Sequence, residues 1–241
     1  MISAMKYLLA PCLLLILSTC SPSPPMGTLK EKDLIVVSID TLRADRLPFY
    51  GAKRNTAGTK EEKWSLNWMA ENGTIFEHVW APASMTRPSF ASFWSGQHTL
   101  EHGTLGNHQL VTAPLYSEQL SKKGYKGTAG VANWVLRPGS GLERGFTELK
   151  VFVNRKEPRL AQFILQKVAG SIHSNEKQLI WAHYMAPHQP YEPAEKFTQI
   201  FMNTAGIKGD KQTLAELHRN PSSFNEKQIK NFDKIYKDDL I

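Results

Sequence analysis

A chain of 241 residues with 41% hydrophobic content can bury one sizeable core, which excludes a disordered protein. Its 29 basic and 22 acidic residues give a net charge of +7, but the basic side chains, such as Lys53, Lys122, Lys126, Arg155 and Lys230, are scattered and form no tract. With no nucleic-acid-binding motif present, this reads as a solvated basic surface suited to anionic substrates or anionic lipid, and no nucleic-acid partner is expected.

In chain order, Lys6 precedes an apolar run from Tyr7 to Leu17. That run is too short for a stable transmembrane helix and fits the hydrophobic region of a secretory signal. Leu17-Ser18-Thr19-Cys20 resembles a bacterial lipobox, in which Cys20 becomes the lipidated terminus, followed by a tether from Ser21 to Pro25. Residues 1–25 are therefore expected to be signal and tether, and 26–241 the folded domain. The expected location is outside the cytoplasm, membrane-anchored, in the periplasm or at the cell surface. Cys12 would leave with the signal, so neither a disulfide nor thiolate chemistry is available to the mature domain.

Strand-like runs follow near Leu34 to Ile39, Ile75 to Trp80, Tyr125 to Ala132 and Leu179 to Tyr184. Helical segments separate them: Glu62 to Glu71 ending at Asn72-Gly73, Tyr116 to Lys123 closed by Gly124, and Arg159 to Ala169 stopping at Gly170. The last carries Leu160, Phe163, Ile164 and Val168 on one face. The alternation predicts a layered α/β fold. Asn72-Gly73-Thr74 reads as a turn more simply than as a glycosylation sequon. At the far end Asn225 and Gln228 form a capping box for a helix with Ile229, Phe232, Tyr236 and Leu240 in one stripe. That helix is still running at Ile241, so the domain is expected to be incomplete at its carboxyl end.

Two segments carry the chemistry. Asp33-Leu-Ile-Val-Val-Ser-Ile-Asp40 is a buried-strand pattern ending on a carboxylate, which suits delivery of a metal ligand to a sheet edge, or a cap for the next turn. Thr86-Arg87-Pro88-Ser89 places a hydroxyl just ahead of a proline suited to a helix's first turn, where free N–H groups favour an anion. Thr86 reads as a nucleophile or as a helix cap, Arg87 as a donor to a sulfate or phosphate or as a surface residue. His188, in a Pro-bounded loop, could touch the same anion, protonate a leaving oxygen, or be fixed by backbone. His183, on the preceding strand, reads as a structural histidine. Because an alcohol is a poor nucleophile at neutral pH, Thr86 needs metal coordination, and Asp40 alone could not hold the metal.

Ser38-Ile39-Asp40-Thr41-Leu42-Arg43-Ala44-Asp45 with Phe49-Tyr50-Gly51 resembles the opening motif of the sulfatase family within the alkaline-phosphatase-like superfamily. Further segments resemble it in the same order: Ala81-Pro82, Thr86 to Ser89, Ser92 to Gly96, His102-Gly103, Leu120 to Tyr125, Gly141 to Phe146, and His183 to Tyr191. Any one is weak, but their order makes the match specific. The resemblance implies an alkaline-phosphatase-like α/β/α sandwich with a mostly parallel central sheet. It implies a divalent metal (calcium, magnesium, manganese or zinc) on Asp40 and Thr86, an anionic ester substrate, and catalysis by Thr86 and His188. Thr41 stands where many sulfatases have a second aspartate. Threonine cannot give the family's formylglycine and Phe90 replaces its arginine, so no formylglycine is expected and a covalent phosphothreonine-type route is implied instead. The family's later Asp-His metal pair has no counterpart before Ile241. The expected function is thus sulfate- or phosphate-ester hydrolysis with Thr86 as nucleophile. The alternatives are a phosphoethanolamine or phosphoglycerol transferase, and a truncated, non-catalytic lipoprotein.

Overall fold

The computed structural model describes residues 32–53, 55, 57–58, 60–61, 65–153, 157–172, 174–190 and 210–230. The signal region, the Cys20 lipobox, Tyr191 and the stripe beyond Ile229 lie outside them. Among the described residues no helix is long and apolar enough to cross a membrane.

Among the described residues four strands form the sheet: β1 (Leu34–Ile39), β2 (Tyr125–Val131), β3 (Glu148–Val151) and β4 (Lys177–Tyr184). Their spatial order is β1-β4-β2-β3 and every pairing is parallel. In β4 and β2, flanked on both sides, nearly every residue is buried, as apolar runs in parallel sheets are. The α-helices among the described residues are α1 (Leu66–Asn72), α2 (Thr86–Ser95), α3 (Thr99–His102), α4 (Tyr116–Lys122), α5 (Glu157–Ser171) and α6 (Lys211–Arg219).

Alternation along β4 divides the core. Leu179 and Trp181 face a cluster with Ala91 and Trp94 of α2, Val111, Leu115 and Leu142, while Ile180 and Ala182 face Leu160, Phe163 and Ile164 of α5. Helices thus cover both faces, giving the expected α/β/α sandwich. Each fully buried leucine or isoleucine stabilises it by roughly 1.5–3 kcal/mol. The edge strand β1 carries Ile35 and Val37 half exposed, because α5 packs on β4 and β2.

Three local expectations differ from the structure. Ile75 to Trp80 is an irregular segment with Phe76, Val79 and Trp80 exposed: strand propensity without a neighbouring ladder does not make a strand. Gly170 does not stop α5, which runs on to Ser171; one glycine costs a helix about 1 kcal/mol, and the buried face of α5 outweighs it. Strand β3 went unseen because it is short and half charged, with Glu148 paired to Lys150 at 2.9 Å and to Lys167 of α5 at 2.6 Å. The capping box at Asn225 and Gln228 forms in both directions, at 2.8 and 2.9 Å.

Candidate functional site

Parallel strands all end at one edge of the sheet, and there the chemistry-bearing residues meet. Asp40 follows β1 directly and is anchored by its N–H donating to Tyr184 O at 2.9 Å. The chain then turns sharply through Thr41, whose φ of +52° is an uncommon, strained value for a β-branched residue. Thr86 opens α2, and the next backbone N–H, that of Arg87, donates to Asn107 Oδ1 at 2.9 Å. Asn133 lies two residues past β2, where its Oδ1 accepts from Val135 N at 3.0 Å. That bond fixes the amide so that Nδ2 faces the site.

The contacts converge on one oxygen. Asp40 Oδ2 accepts from Thr86 Oγ1 at 3.2 Å and from Asn133 Nδ2 at 2.8 Å, and His183 Nε2 stands 3.5 Å away. Asn133 Nδ2 also lies 3.4 Å from Thr86 Oγ1. Burial pushes the Asp40 carboxyl up, but His183, then Asn133 and His188, together outweigh it and hold the carboxyl below its ordinary value. Asp40 is therefore an anion at neutral pH. The ionised carboxylate accepts the Thr86 hydroxyl proton's hydrogen bond and orients that hydroxyl.

His183 is fully buried on the α2 side of β4. Its Nδ1 lies 3.0 Å from Ser38 Oγ, which accepts Trp181 Nε1–H at 3.0 Å and is 3.4 Å from Ala182 O. Phe90 packs edge-on against the imidazole with ring centroids 5.0 Å apart. Ring and hydroxyl thus seat one face of His183 and leave Nε2 turned toward Asp40.

Of the residues expected from sequence, Asp40 and Thr86 are brought together. Arg87 is not: it is buried, with Nε and Nη2 donating to Val135 O at 2.9 and 2.7 Å and Nη1 to Gln109 O at 2.9 Å. Burial and the nearby Arg137 lower its pKa, and its donors tie the start of α2 to two loops. The expectation that Arg87 grips the substrate anion is corrected accordingly. His188 is partly buried, with Nδ1 2.6 Å from Gln189 O, and lines a cavity of about 1120 Å³ together with Asn133, Trp134, Lys211, His218 and Arg219. Asn133 was not anticipated, although a polar residue just past the predicted strand to Ala132 is where a sheet-edge ligand belongs.

Other family-like segments prove to be scaffold. His102 Nδ1 accepts from Thr104 N at 3.0 Å, so Nε2 carries the proton and donates to Ser92 Oγ of α2 at 2.9 Å. Arg144 bonds Gly141 O, Val111 O, Ala113 O and Glu118, the last at 3.0 Å. Gly141, at φ +88°, runs so close to Val111 that a Cβ there would overlap its carbonyl.

Among the described residues no three His, Cys, Asp or Glu side chains converge as a metal cluster. Asp40 and His183 are the two that meet, with Thr86 beside them.

Comparison with known proteins gives a consistent placement. The chain resembles a phosphonate monoester hydrolase of Agrobacterium radiobacter (TM-score 0.58, 13% identity, 87% of this chain and 56% of that one). It also resembles a 2-O GAG sulfatase, BT1596 (TM-score 0.62, 14% identity, 87% and 51%). A protein in the alkaline phosphatase superfamily from Vibrio parahaemolyticus is similar as well (TM-score 0.53, 13% identity, 87% and 48%). At these identities the likeness speaks for the fold, and the chain spans about half the length of those structures. No curated protein matches it with significance. The sulfatase family profile matches residues 32–234, nearly the whole chain after the first 31 residues, and on that match the chain belongs to the sulfatase family.

Proposed function

We propose that this chain carries the nucleophile side of a metal-dependent hydrolase of sulfate or phosphate esters, with Thr86 as the attacking group. The observation that supports it most is the Thr86 hydroxyl at the amino end of α2, 3.2 Å from an ionised, part-buried Asp40. Asp40 and Thr86 would hold the divalent ion, and the orphaned, buried Nε2 of His183 beside them is the kind of atom such a group satisfies. When bound, the metal lowers the pKa of the hydroxyl and neutralises ester oxygens.

The chain's own residues then have separate tasks. Thr86 Oγ attacks the sulfur or phosphorus, forming one S–O or P–O bond as the bond to the alcohol oxygen breaks. Asn133 orients both Thr86 and Asp40. His188, at the wall of the cavity, hands a proton to the departing alcohol oxygen, and the cavity receives the alcohol. Water then cleaves the Thr86 ester. Export and lipid anchoring through Cys20 belong to the same proposal, and radiolabelled palmitate incorporated in cells, lost in Cys20→Ala, would test them.

The experiment is turnover of a paired aryl sulfate and aryl phosphate with each of the four divalent ions, for the wild type and for Thr86→Ala. Metal-dependent turnover lost in the variant is the expected result, and the better ester names the substrate class. Equal turnover by the variant would remove Thr86 from the mechanism.

A further inference from the structure

We propose that the alcohol released at the site is part of an anionic oligosaccharide, held along the cavity beside His188 with Trp134 against one sugar ring and with Lys211 and Arg219 meeting charged groups toward its two ends. The inference names the alcohol for the ester-hydrolase reading above and rests on that reading. Its starting point is size: at about 1120 Å³ the cavity exceeds the roughly 300–1,000 Å³ of most small-molecule sites.

One wall is a face of α6. Lys211, Leu214, Ala215, His218 and Arg219 all line the cavity, at the i, i+3, i+4, i+7, i+8 spacing of a single helical stripe. Leu214 in the middle is buried, and an exposed cation stands at each end. At 1.5 Å per residue Lys211 and Arg219 are about 12 Å apart along the axis, too far to grip one sulfate or phosphate together. The acids next to them do not line the cavity. Asp210 Oδ1 caps α6 by accepting from Thr213 N at 2.8 Å, and Glu216 Oε2 makes an exposed pair with Arg219 Nη2 at 3.5 Å, the kind that a ligand anion displaces at small cost. A single ring with one charge would leave one of the two cations unused, whereas a chain of rings reaches both.

Another part of the lining is an aromatic platform. Trp134 is 59% exposed and directly follows Asn133. Its short turn, Trp134–Leu136, is fixed by Asn133 Oδ1 accepting from Val135 N at 3.0 Å and by the full burial of Leu136, so the indole is presented in one place. The Arg137 guanidinium stacks over one of its faces, 4.9 Å from the ring centroid, which leaves the other for a ligand. A flat apolar face suits the C–H side of a sugar ring, and Glu157 and Gln189, also in the lining, offer acceptors to its hydroxyls. Because the Glu157 carboxylate repels anions, the ligand's charges belong at the α6 cations.

The test is calorimetric titration of the full chain, with chelator present so that no ester is turned over, using cellobiose, cellobiose carrying one sulfate on each ring, and inorganic sulfate. The sulfated disaccharide should bind at least about tenfold more tightly than either of the others. Trp134→Ala and the double variant Lys211→Ala/Arg219→Ala should each weaken it about tenfold, and Thr86→Ala should leave it unchanged. All three substituted side chains are exposed, so the variants keep the fold. Equal binding of cellobiose and its sulfated form, or binding that neither variant weakens, would overturn the inference. Turnover of aryl esters without binding of the sulfated disaccharide would overturn it too and leave the Thr86 reading standing. Binding that follows the variants in a protein that turns over no aryl ester would support the saccharide site and count against the Thr86 reading instead.

Discussion

The arginine and histidine side chains on the two sides of α2 are satisfied to different degrees. Behind it, Arg87 spends its donors on Val135 O and Gln109 O, Arg144 reaches three carbonyls and Glu118, and both ring nitrogens of His102 are bonded. In front, three groups crowd Asp40 Oδ2 and His183 Nε2 has no hydrogen bond. A hydrogen-bonded network of this kind rigidifies a fold, although buried Trp94 Nε1 and Thr104 Oγ1 close to it also lack a hydrogen bond among the described residues, so the candidate site stands out by its place at the carboxyl edge of a parallel sheet, where ligands bind in such folds. Charged residues in family-like motifs therefore fall into two kinds, and burial alone does not separate them.

Breaking each side should have opposite consequences. Thr86→Ala lowers turnover at least about 10³-fold, the scale on which a nucleophile is lost, and leaves the melting temperature near that of the wild type. Arg87→Gln does the reverse: stranding the Val135 and Gln109 carbonyls lowers stability by about 2–4 kcal/mol in urea titration, and Arg87→Lys does not restore it because the guanidinium fork is lost. Gly141→Ala sits on the same rear side, where the added Cβ meets the Val111 carbonyl at a left-handed φ, and costs about 2–3 kcal/mol by the same assay.

A pH titration sharpens the contrast further. Burial lowers the His102 pKa below its ordinary 6.5, so the folded state keeps it neutral where the unfolded chain already binds a proton. Stability from His102 is therefore full above about pH 6.5 and declines as the pH falls below it, and His102→Gln should flatten that part of the profile. The smallest effect is at Thr41: replacing it with Asn, which tolerates φ near +52°, should raise stability by about 0.5–1 kcal/mol.

The fold was legible where periodicity and terminators agreed. The runs at β1, β2 and β4 and the apolar stripe of α5 are dictated locally, and so is the closure of α4 by Gly124 at φ +85°. Ile75 to Trp80 was misread because a strand is made by its neighbour, which no single run reveals. At the site, Asp40 and Thr86 were legible because each position is local, one at a strand end and one at a helix start. The direction of Arg87 was not, since its carbonyl partners lie 22 and 48 residues away in sequence. His183 read as a structural histidine on its strand; that one nitrogen is seated and the other bare becomes visible only when β1 and β4 pair Ser38 with His183.

The most direct test of the central claim is to quench turnover of an aryl phosphate and an aryl sulfate with acid and sequence the peptides of the metal-loaded protein by mass spectrometry. A phosphoryl or sulfuryl adduct on Thr86, appearing at the rate of turnover, is the predicted result. Turnover that proceeds with Thr86 unmodified, or with the adduct on another residue, would contradict the account.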